Sequence, residues 1–334
     1  MSLDADACYQ AMRARDPRFD GVFFVGVRTT GVYCRPVCPA RTPGRDRCRF
    51  FARAAEAEQQ GFRACFRCRP ELAPGHAPVD AVPRLVAAAL ARIDAGELNE
   101  GTVDMLAAAL GVTARHLRRT LEGALGVTPV ELAQSRRLAL AKQLLQDTEL
   151  PLAEVAFASG FTSVRRFNAL FQARFGRPPS GLRRQHREAA TPPEAPFGLD
   201  LRLDYRPPLD WSALLGFLAG RAVPGVERVA GGAYRRTVQL GDAHGWIELT
   251  ADPRRYALRA AVSPSLSRVL LPLVARLRGL CDLDAQPMLI ADHLQRDRLL
   301  SSLVQRRPGL RVPGAFDGFE VAVRAILGQQ ISVK

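Results

Sequence analysis

Hydrophobic and polar positions along this chain change period twice. Residues 4–14 set Cys8 and Met12 one turn apart on a polar background, which predicts a short amphipathic helix. GVFFVGV at 21–27 reads as a strand, and ARAAEAEQQG at 52–61 as a short helix stopped by Gly61. From 79 to 190 the period is helical. TVDMLAAALGVTARHLRRTLEGALG at 102–126 predicts a helix, a tight turn at Gly111 and a second helix. ELPLAEVAFASGFTSVRRFNALFQARFGRPPSGLRRQ at 149–185 repeats that pattern around Gly160. Between the two, 129–148 predicts one long helix with Leu138, Ala141 and Leu145 on its core face. Beyond 198 the period drops to two, with Leu199, Leu201, Leu203 and Tyr205 on one side of a strand. A helix over 210–221, strands within 226–240, 245–250 and 255–262, an apolar helix over 265–279 and a last helix over 317–333 follow.

Two turn-rich breaks, PELAPGHAPVD at 70–80 and EAATPPEAPFG at 188–198, separate these regimes. The expected organisation is multidomain: a small α/β module at 1–78, an all-α double helix-turn-helix module at 79–190, and an α+β module at 191–316. Residues 317–334 then open a further helical unit.

Charge adds a partner class. The formal net charge is +14, from 47 basic and 33 acidic residues, and the only lysines are Lys142 and Lys334. Basic residues outnumber acidic ones 13 to 8, 15 to 11 and 19 to 14 in the segments 1–78, 79–190 and 191–334. The excess is therefore not a tail, and arginine-rich surfaces in every segment suit a polyanion such as DNA. A merely solvated arginine-rich surface is the competing account. No apolar run reaches the ~20 residues of a membrane span, and MSLDADACYQAMRARD has no signal-peptide pattern. The expected compartment is the cytoplasm, where thiols stay reduced.

Reduced, clustered cysteines point to metal. Cys34 and Cys38 form one hook, Cys65 and Cys68 a second, with 26 residues between them. Two such hooks complete a tetrahedral all-sulfur site, the coordination of zinc. Such a zinc could simply staple the module. Cys8, Cys48 and Cys281 lie outside the hooks and read as small buried hydrophobes, with Cys48 near enough to compete as a ligand. RTTGVYCRPVCPAR at 28–41 and GFRACFRCRPE at 61–71 closely resemble the N-terminal domain of Ada-type adaptive-response regulators. The resemblance implies one zinc per chain on Cys34, Cys38, Cys65 and Cys68, with Cys34 accepting a methyl group from a DNA methylphosphotriester. Thr30, Arg35, Arg41, Arg63 and Arg67 flank the hooks as candidate DNA contacts, and Arg41, Arg63 and Arg67 match basic positions on that family's DNA-facing surface.

Residues 79–190 resemble an AraC-type DNA-binding domain, most specifically through RRLALAKQLL, EVAFASGF, RRFNALFQARFG and PPSGLR. The resemblance implies recognition helices near 114–121 and 163–174 in successive major grooves. Candidate contacts are Arg115, His116, Arg118 and Arg119, then Ser163, Arg165, Arg166 and Asn168, of which no more than half should reach base edges. Phe157, Phe161, Phe167 and Phe171 are expected in the core, and His76 and His186 in solvent.

LDYRPPLDWSALLGFLAGRAVPGVERV at 203–229 and RRPGLRVPGAFDGFEVAVRAILGQQISV at 306–333 resemble AlkA-type 3-methyladenine DNA glycosylases. The first block matches their N-terminal α/β domain, the second the start of their helix-hairpin-helix domain. The resemblance implies that Phe217 lines a flipped-base pocket and that Gln329, Gln330 and Ile331 lie at the minor groove. Phe217 and Trp211 read equally well as helix-core aromatics, and Trp246 and Cys281 as packing residues. The family's hairpin and catalytic aspartate lie beyond Lys334, so the chain as given is expected not to excise 3-methyladenine. Asp317 reads as a helix N-cap with Glu320 three residues on, and 317–334 should be loosely held or expose an apolar face. The Pro-Cys-His-Arg motif of O6-methylguanine acceptors is not in the sequence.

Together these readings imply alkylation-damage repair joined to transcriptional activation in a bacterial cytoplasm, at the nucleoid. The expected partners are double-stranded DNA, alkylated DNA, promoter sites and RNA polymerase. The rivals are a transcription factor with a purely structural zinc, and a fragment of a protein acting mainly as a glycosylase.

Overall fold

Asp4 starts the first helix, α1 (Ala5–Ala14), by accepting the Asp6 and Ala7 backbone N–H groups at 2.9 and 3.3 Å. The computed structural model describes residues 4–74, 84–189 and 198–329. In the first region α1 packs Cys8 and Met12 against Phe23, Val25 and Cys48. A small sheet follows, made of β1 (Phe24–Val27), β2 (Val32–Cys34), β3 (Cys48–Phe51) and β4 (Arg63–Ala64), with α2 (Ala54–Gln59) between the last two. Its order is β3-β1-β2-β4, antiparallel except for the parallel β2–β4 pair. β1 lies within the strand expected at 21–27; the other three strands are too short to show alternation in sequence. Gly26 permits the close packing at the sheet centre, since a Cβ there would sit 2.7 Å from the Phe51 ring and 2.9 Å from Phe62.

The second region is helical throughout its described residues: α3 (Arg84–Asp94), α4 (Val103–Ala109), α5 (Ala114–Leu125), α6 (Pro129–Asp147), α7 (Leu152–Ala158), α8 (Val164–Phe175) and α9 (Pro179–Ala189). Side-chain caps define the starts. Thr102, Thr113 and Ser163 accept the N–H of Met105, His116 and Arg166 at 3.2, 3.2 and 3.3 Å, and Thr128 and Glu131 form a reciprocal capping box on α6. Gly111 and Gly160, at φ 70° and 84°, make the two tight turns. Phe161, Phe167 and Phe171 are buried as expected. Phe157 is not: it stands 42% exposed, because α7 turns that side away from α6 and α8 while Val155, Ala156 and Ala158 carry the buried face.

The third region is a five-stranded antiparallel sheet in the order β5-β9-β8-β7-β6, from β5 (Leu199–Asp204), β6 (Glu227–Ala230), β7 (Ala233–Leu240), β8 (Ala243–Asp252) and β9 (Ala257–Val262). The run expected as one strand at 226–240 breaks into a hairpin at Gly231 and Gly232, both at positive φ. The helices are α10 (Trp211–Ala219), α11 (Leu270–Leu280), α12 (Pro287–Leu294), α13 (Arg298–Arg306) and α14 (Gly318–Gly328). The helix expected from 265 begins as a 3-10 turn, Pro264–Val269, before α11. Cys281 is fully buried, but Trp246 is 40% exposed on β8, so its expected packing role is corrected. α14 exposes Phe319, Val321, Ile326 and Leu327, the apolar face foreseen for this segment, yet it is not loose. Asp317 accepts the Glu320 N–H at 3.0 Å and pairs with Arg276, Glu320 pairs with Arg236, and Arg324 pairs with Glu227. Among the described residues no helix is long and apolar enough to cross a membrane.

Candidate metal centre

Parallel pairing of β2 with β4 places Val32 opposite Arg63 and Tyr33 opposite Ala64, so the next residues on each strand, Cys34 and Cys65, emerge side by side. The Cys65 N–H donates to the Tyr33 carbonyl at 2.9 Å and closes the pair. Each strand then turns back and returns a second cysteine. The sulfurs of Cys34, Cys38, Cys65 and Cys68 all lie within 4.8 Å of one another. A tetrahedral tetrathiolate zinc has sulfurs about 3.8 Å apart, so the donor set fits zinc in number, chemistry and spacing. Cys48 is buried against α1 and its thiol donates to the Gly44 carbonyl at 3.3 Å, away from the cluster.

Four thiols this close cannot ionise independently. Hydrogen bonds from Cys34 draw Cys65 and Cys38 down, Cys38 to about 7, while those to Cys38 and Cys34 push Cys34 and Cys68 up. A bound cation resolves that conflict. Backbone N–H groups also reach two of the sulfurs: Arg67 donates to Cys65 and Arg35 to Cys68, each at 3.4 Å. Cys34 and Cys38 accept no backbone N–H bond among the described residues. Cys68 is buried, whereas Cys34, Cys38 and Cys65 are half-buried.

Of the arginines and threonine flanking the hooks, Thr30, Arg41, Arg63 and Arg67 are exposed. Arg35 is not, which corrects its place among DNA contacts. It is 6% exposed, and its guanidinium donates from Nε to Asp20 Oδ1 at 2.8 Å, from Nη2 to Asp20 Oδ2, and from Nη1 to Asp204 Oδ2 at 2.8 Å. Buried between two carboxylates, with four of its five N–H donors already committed, it does not face a phosphate. Lys142 was not anticipated either. It is 0% exposed, and its Nζ donates to the Cys65 carbonyl at 2.9 Å and to Glu71 Oε2 at 2.6 Å. Phe66, between the second pair of cysteines, stacks under Arg177 at 4.6 Å. The polar residue in the buried stripe of the long helix was the available sign of Lys142.

On the helical region Arg115, His116, Arg118 and Arg119 of α5 are exposed, as are Ser163, Arg165, Arg166 and Asn168 at α8. Ser163 spends its hydroxyl on the α8 cap. Phe217, 39% exposed on α10, is not a core aromatic; its ring lies under the Arg221 guanidinium at 3.8 Å. Trp211 is half-buried, its Nε1 donating to the Gly232 carbonyl at 3.0 Å. Gln329 is exposed at the end of α14, while Gln330, Ile331 and His76 lie outside the described residues, as does the side chain of His186.

Three family models match the chain: the metal binding domain of Ada over residues 7–71, a helix-turn-helix domain over 106–185, and the AlkA N-terminal domain over 200–317. A Mycobacterium tuberculosis protein named "Probable bifunctional transcriptional activator/DNA repair enzyme AlkA" is 42% identical over 335 aligned residues, covering 100% of this chain and 67% of its own. DNA-3-methyladenine glycosylase 2 of Escherichia coli is 42% identical over 131 residues, 39% of this chain and 44% of its own. The bifunctional transcriptional activator/DNA repair enzyme Ada of Escherichia coli is 36% identical over 147 residues, 44% of this chain and 40% of its own. The metal-binding, helix-turn-helix and AlkA-type parts follow one another along this chain, and with the mycobacterial relative aligned over all of it the chain belongs to the Ada–AlkA fusion family of bifunctional transcriptional activator/DNA repair proteins.

Proposed function

We propose that this chain repairs alkylated DNA by accepting a methyl group from a methylphosphotriester on Cys34, once per molecule, and that the event promotes sequence-specific DNA binding and activation of transcription. The modules are assigned to 1–78, 79–190 and 191–316. The supporting observation is the inequality of the four sulfurs. An N–H bond stabilises a thiolate and lowers its nucleophilicity; Cys65 and Cys68 carry such bonds, Cys34 and Cys38 carry none among the described residues, and of these two the Ada-type resemblance points to Cys34. One zinc per chain, when bound, keeps these thiols deprotonated at neutral pH. Cys34 Sγ attacks the methyl carbon; the carbon–sulfur bond forms as the carbon–oxygen bond breaks, and the phosphodiester leaves with its negative charge restored. No general base is required. A neutral triester can approach this anionic centre more readily than an ordinary phosphodiester, which contributes selectivity for damage. Thr30, Arg41, Arg63 and Arg67 are assigned to the backbone around the lesion, and the exposed residues of α5 and α8 to the operator. RNA polymerase is the partner assigned at promoters.

Incubation with methylphosphotriester duplex followed by peptide mass spectrometry should find a single methyl, on Cys34. A methyl on Cys38, Cys65 or Cys68 would displace the nucleophile assignment. No methyl on any cysteine would leave the zinc as a purely structural element of a transcription factor.

A further inference from the structure

We propose that the methyl-acceptor centre is assembled from all three regions, with Asp204 on β5 and Lys142 on α6 as positioning residues for the two cysteine loops; this rests on the methyl-acceptor reading above. Each loop is gripped from behind by a buried charge from another region. Arg35 immediately follows Cys34. Its backbone N–H is the donor to Cys68 Sγ, and its Nη1 also donates to the Cys68 carbonyl at 3.3 Å. One residue thus ties the first hook to the end of the second. What aims that residue is a pair of carboxylates, Asp20 from the same region and Asp204 from the third. Asp204 is itself buried and fixed, with Arg202 donating from Nε to Oδ1 at 2.7 Å and from Nη2 to Oδ2 at 3.2 Å, and with its backbone in register with Ala257 on β9.

The second loop is held from α6. Lys142 donates to the Cys65 carbonyl and to Glu71, and Glu71 also accepts from Arg69 Nε at 3.2 Å. This is one of only two lysines in the chain. A compact ammonium with rotatable donors can serve a carbonyl and a carboxylate that are not coplanar, which a rigid guanidinium fork cannot do as readily. Buried ion clusters add little net stability compared with apolar packing, and what they supply is definition of geometry. Here both clusters end on atoms of the cysteine loops. In metal centres, partners of this kind orient the ligands, and their loss characteristically changes metal affinity or activity by roughly 10- to 100-fold.

The test uses the full chain loaded with zinc. Two rates are read: zinc release to a chromogenic chelator, and appearance of methyl on Cys34 from a methylphosphotriester duplex. Asp204→Ala and Lys142→Gln are each expected to speed zinc release and slow methylation by roughly tenfold or more. Asp204→Asn, which keeps an acceptor for Arg35, should fall between Asp204→Ala and the parent. Gln143→Ala removes a bond from α6 to the Arg202 carbonyl (3.0 Å) without touching either loop, and should match the parent. Parent-like zinc release in both Asp204→Ala and Lys142→Gln overturns the proposal. So does an equal acceleration in Gln143→Ala, which would mean that general docking is what matters. Should Asp204→Ala not fold, Lys142→Gln carries the same test on the other loop. Should the parent accept no methyl while zinc release responds as expected, the loop positioning stands and the methyl-acceptor reading falls.

Discussion

Arg35 holds a buried positive charge between two buried carboxylates, and burial alone would lower its pKa, but Asp20 and Asp204 more than reverse this. Removing the guanidinium strands Asp20 and leaves Asp204 to Arg202 alone. Arg35→Ala should therefore destabilise the first region by about 3–5 kcal/mol, read as the urea midpoint of the zinc-loaded chain; a loss near zero would show the acids to be relaxed into water. Combining Arg35→Met with Asp20→Asn should recover much of the stability, because Asp204 keeps Arg202 and the stranded charge on Asp20 is gone. The cysteines give a sharper pair of outcomes. Cys68→Ser should lose zinc and loosen the first region, since metal binding contributes folding energy, whereas Cys48→Ser should retain full zinc content by atomic absorption. The clustering of Cys34, Cys38, Cys65 and Cys68 was legible in the sequence because hook spacing is local chemistry, two short hooks on one chain. Arg35 was misread for the opposite reason: its partner Asp204 lies 169 residues away, and nothing in RTTGVYCRPVCPAR distinguishes an arginine that faces DNA from one that faces a distant strand.

α14 shows the same tension at the scale of an element. Its apolar face is open, and what anchors it is polar: Glu320 to Arg236, and Arg324 to Glu227 and the Arg221 carbonyl. Burial alone would raise the pKa of Glu227, but hydrogen bonds from Arg324 and Tyr234 outweigh it and hold the carboxyl below its ordinary 4.5. A folded-state value below the unfolded one means that the contribution is fully present above about pH 4.5 and is lost as pH falls through the lowered value. Hydrogen-exchange protection factors for 318–328 should thus fall with acid before those of β7–β9. Glu227→Gln should flatten that dependence, and an unchanged pH profile in this variant would remove Glu227 from the latch. Helices with a regular apolar stripe and a capping residue were readable in advance, as α4 to α8 were. β2, β3 and β4 span too few residues for a period to register. α12 and α13 were not read in advance, and the structure leaves their Leu289, Leu299 and Leu303 exposed. A cap was nonetheless available for α13, since Asp297 accepts the Leu299 and Leu300 N–H groups.

Across the whole molecule a net charge of +14 is spread over three regions, and the zinc-loaded cysteine centre would set an anionic point against it. Four thiolates on a zinc carry a charge of −2, and methylating Cys34 turns one thiolate into a neutral thioether. The centre then carries −1, and Arg41, Arg63 and Arg67, which flank its cysteines in sequence, are exposed. A unit charge some 8 Å from a phosphate is worth about 0.5 kcal/mol in water and about 2 kcal/mol at an effective dielectric of 20, so methylation should tighten binding roughly 2- to 30-fold. Screening sets where this is visible. The Debye length shrinks from about 30 Å at 0.01 M salt to about 10 Å at 0.1 M, and the gain should shrink with it. The helix-turn-helix contacts impose a steep salt dependence of their own on both forms, so the ratio of the two affinities, not either alone, isolates the switch. Fluorescence anisotropy on one operator duplex, with methylated and unmethylated protein over a salt series, measures that ratio. Replacing the phosphates nearest the centre with neutral methylphosphonates should collapse it toward one, because the repulsion relieved by methylation is then already gone. Equal affinities of the two forms at low salt would reject the electrostatic coupling, and would leave repair and DNA binding as separate activities of one chain.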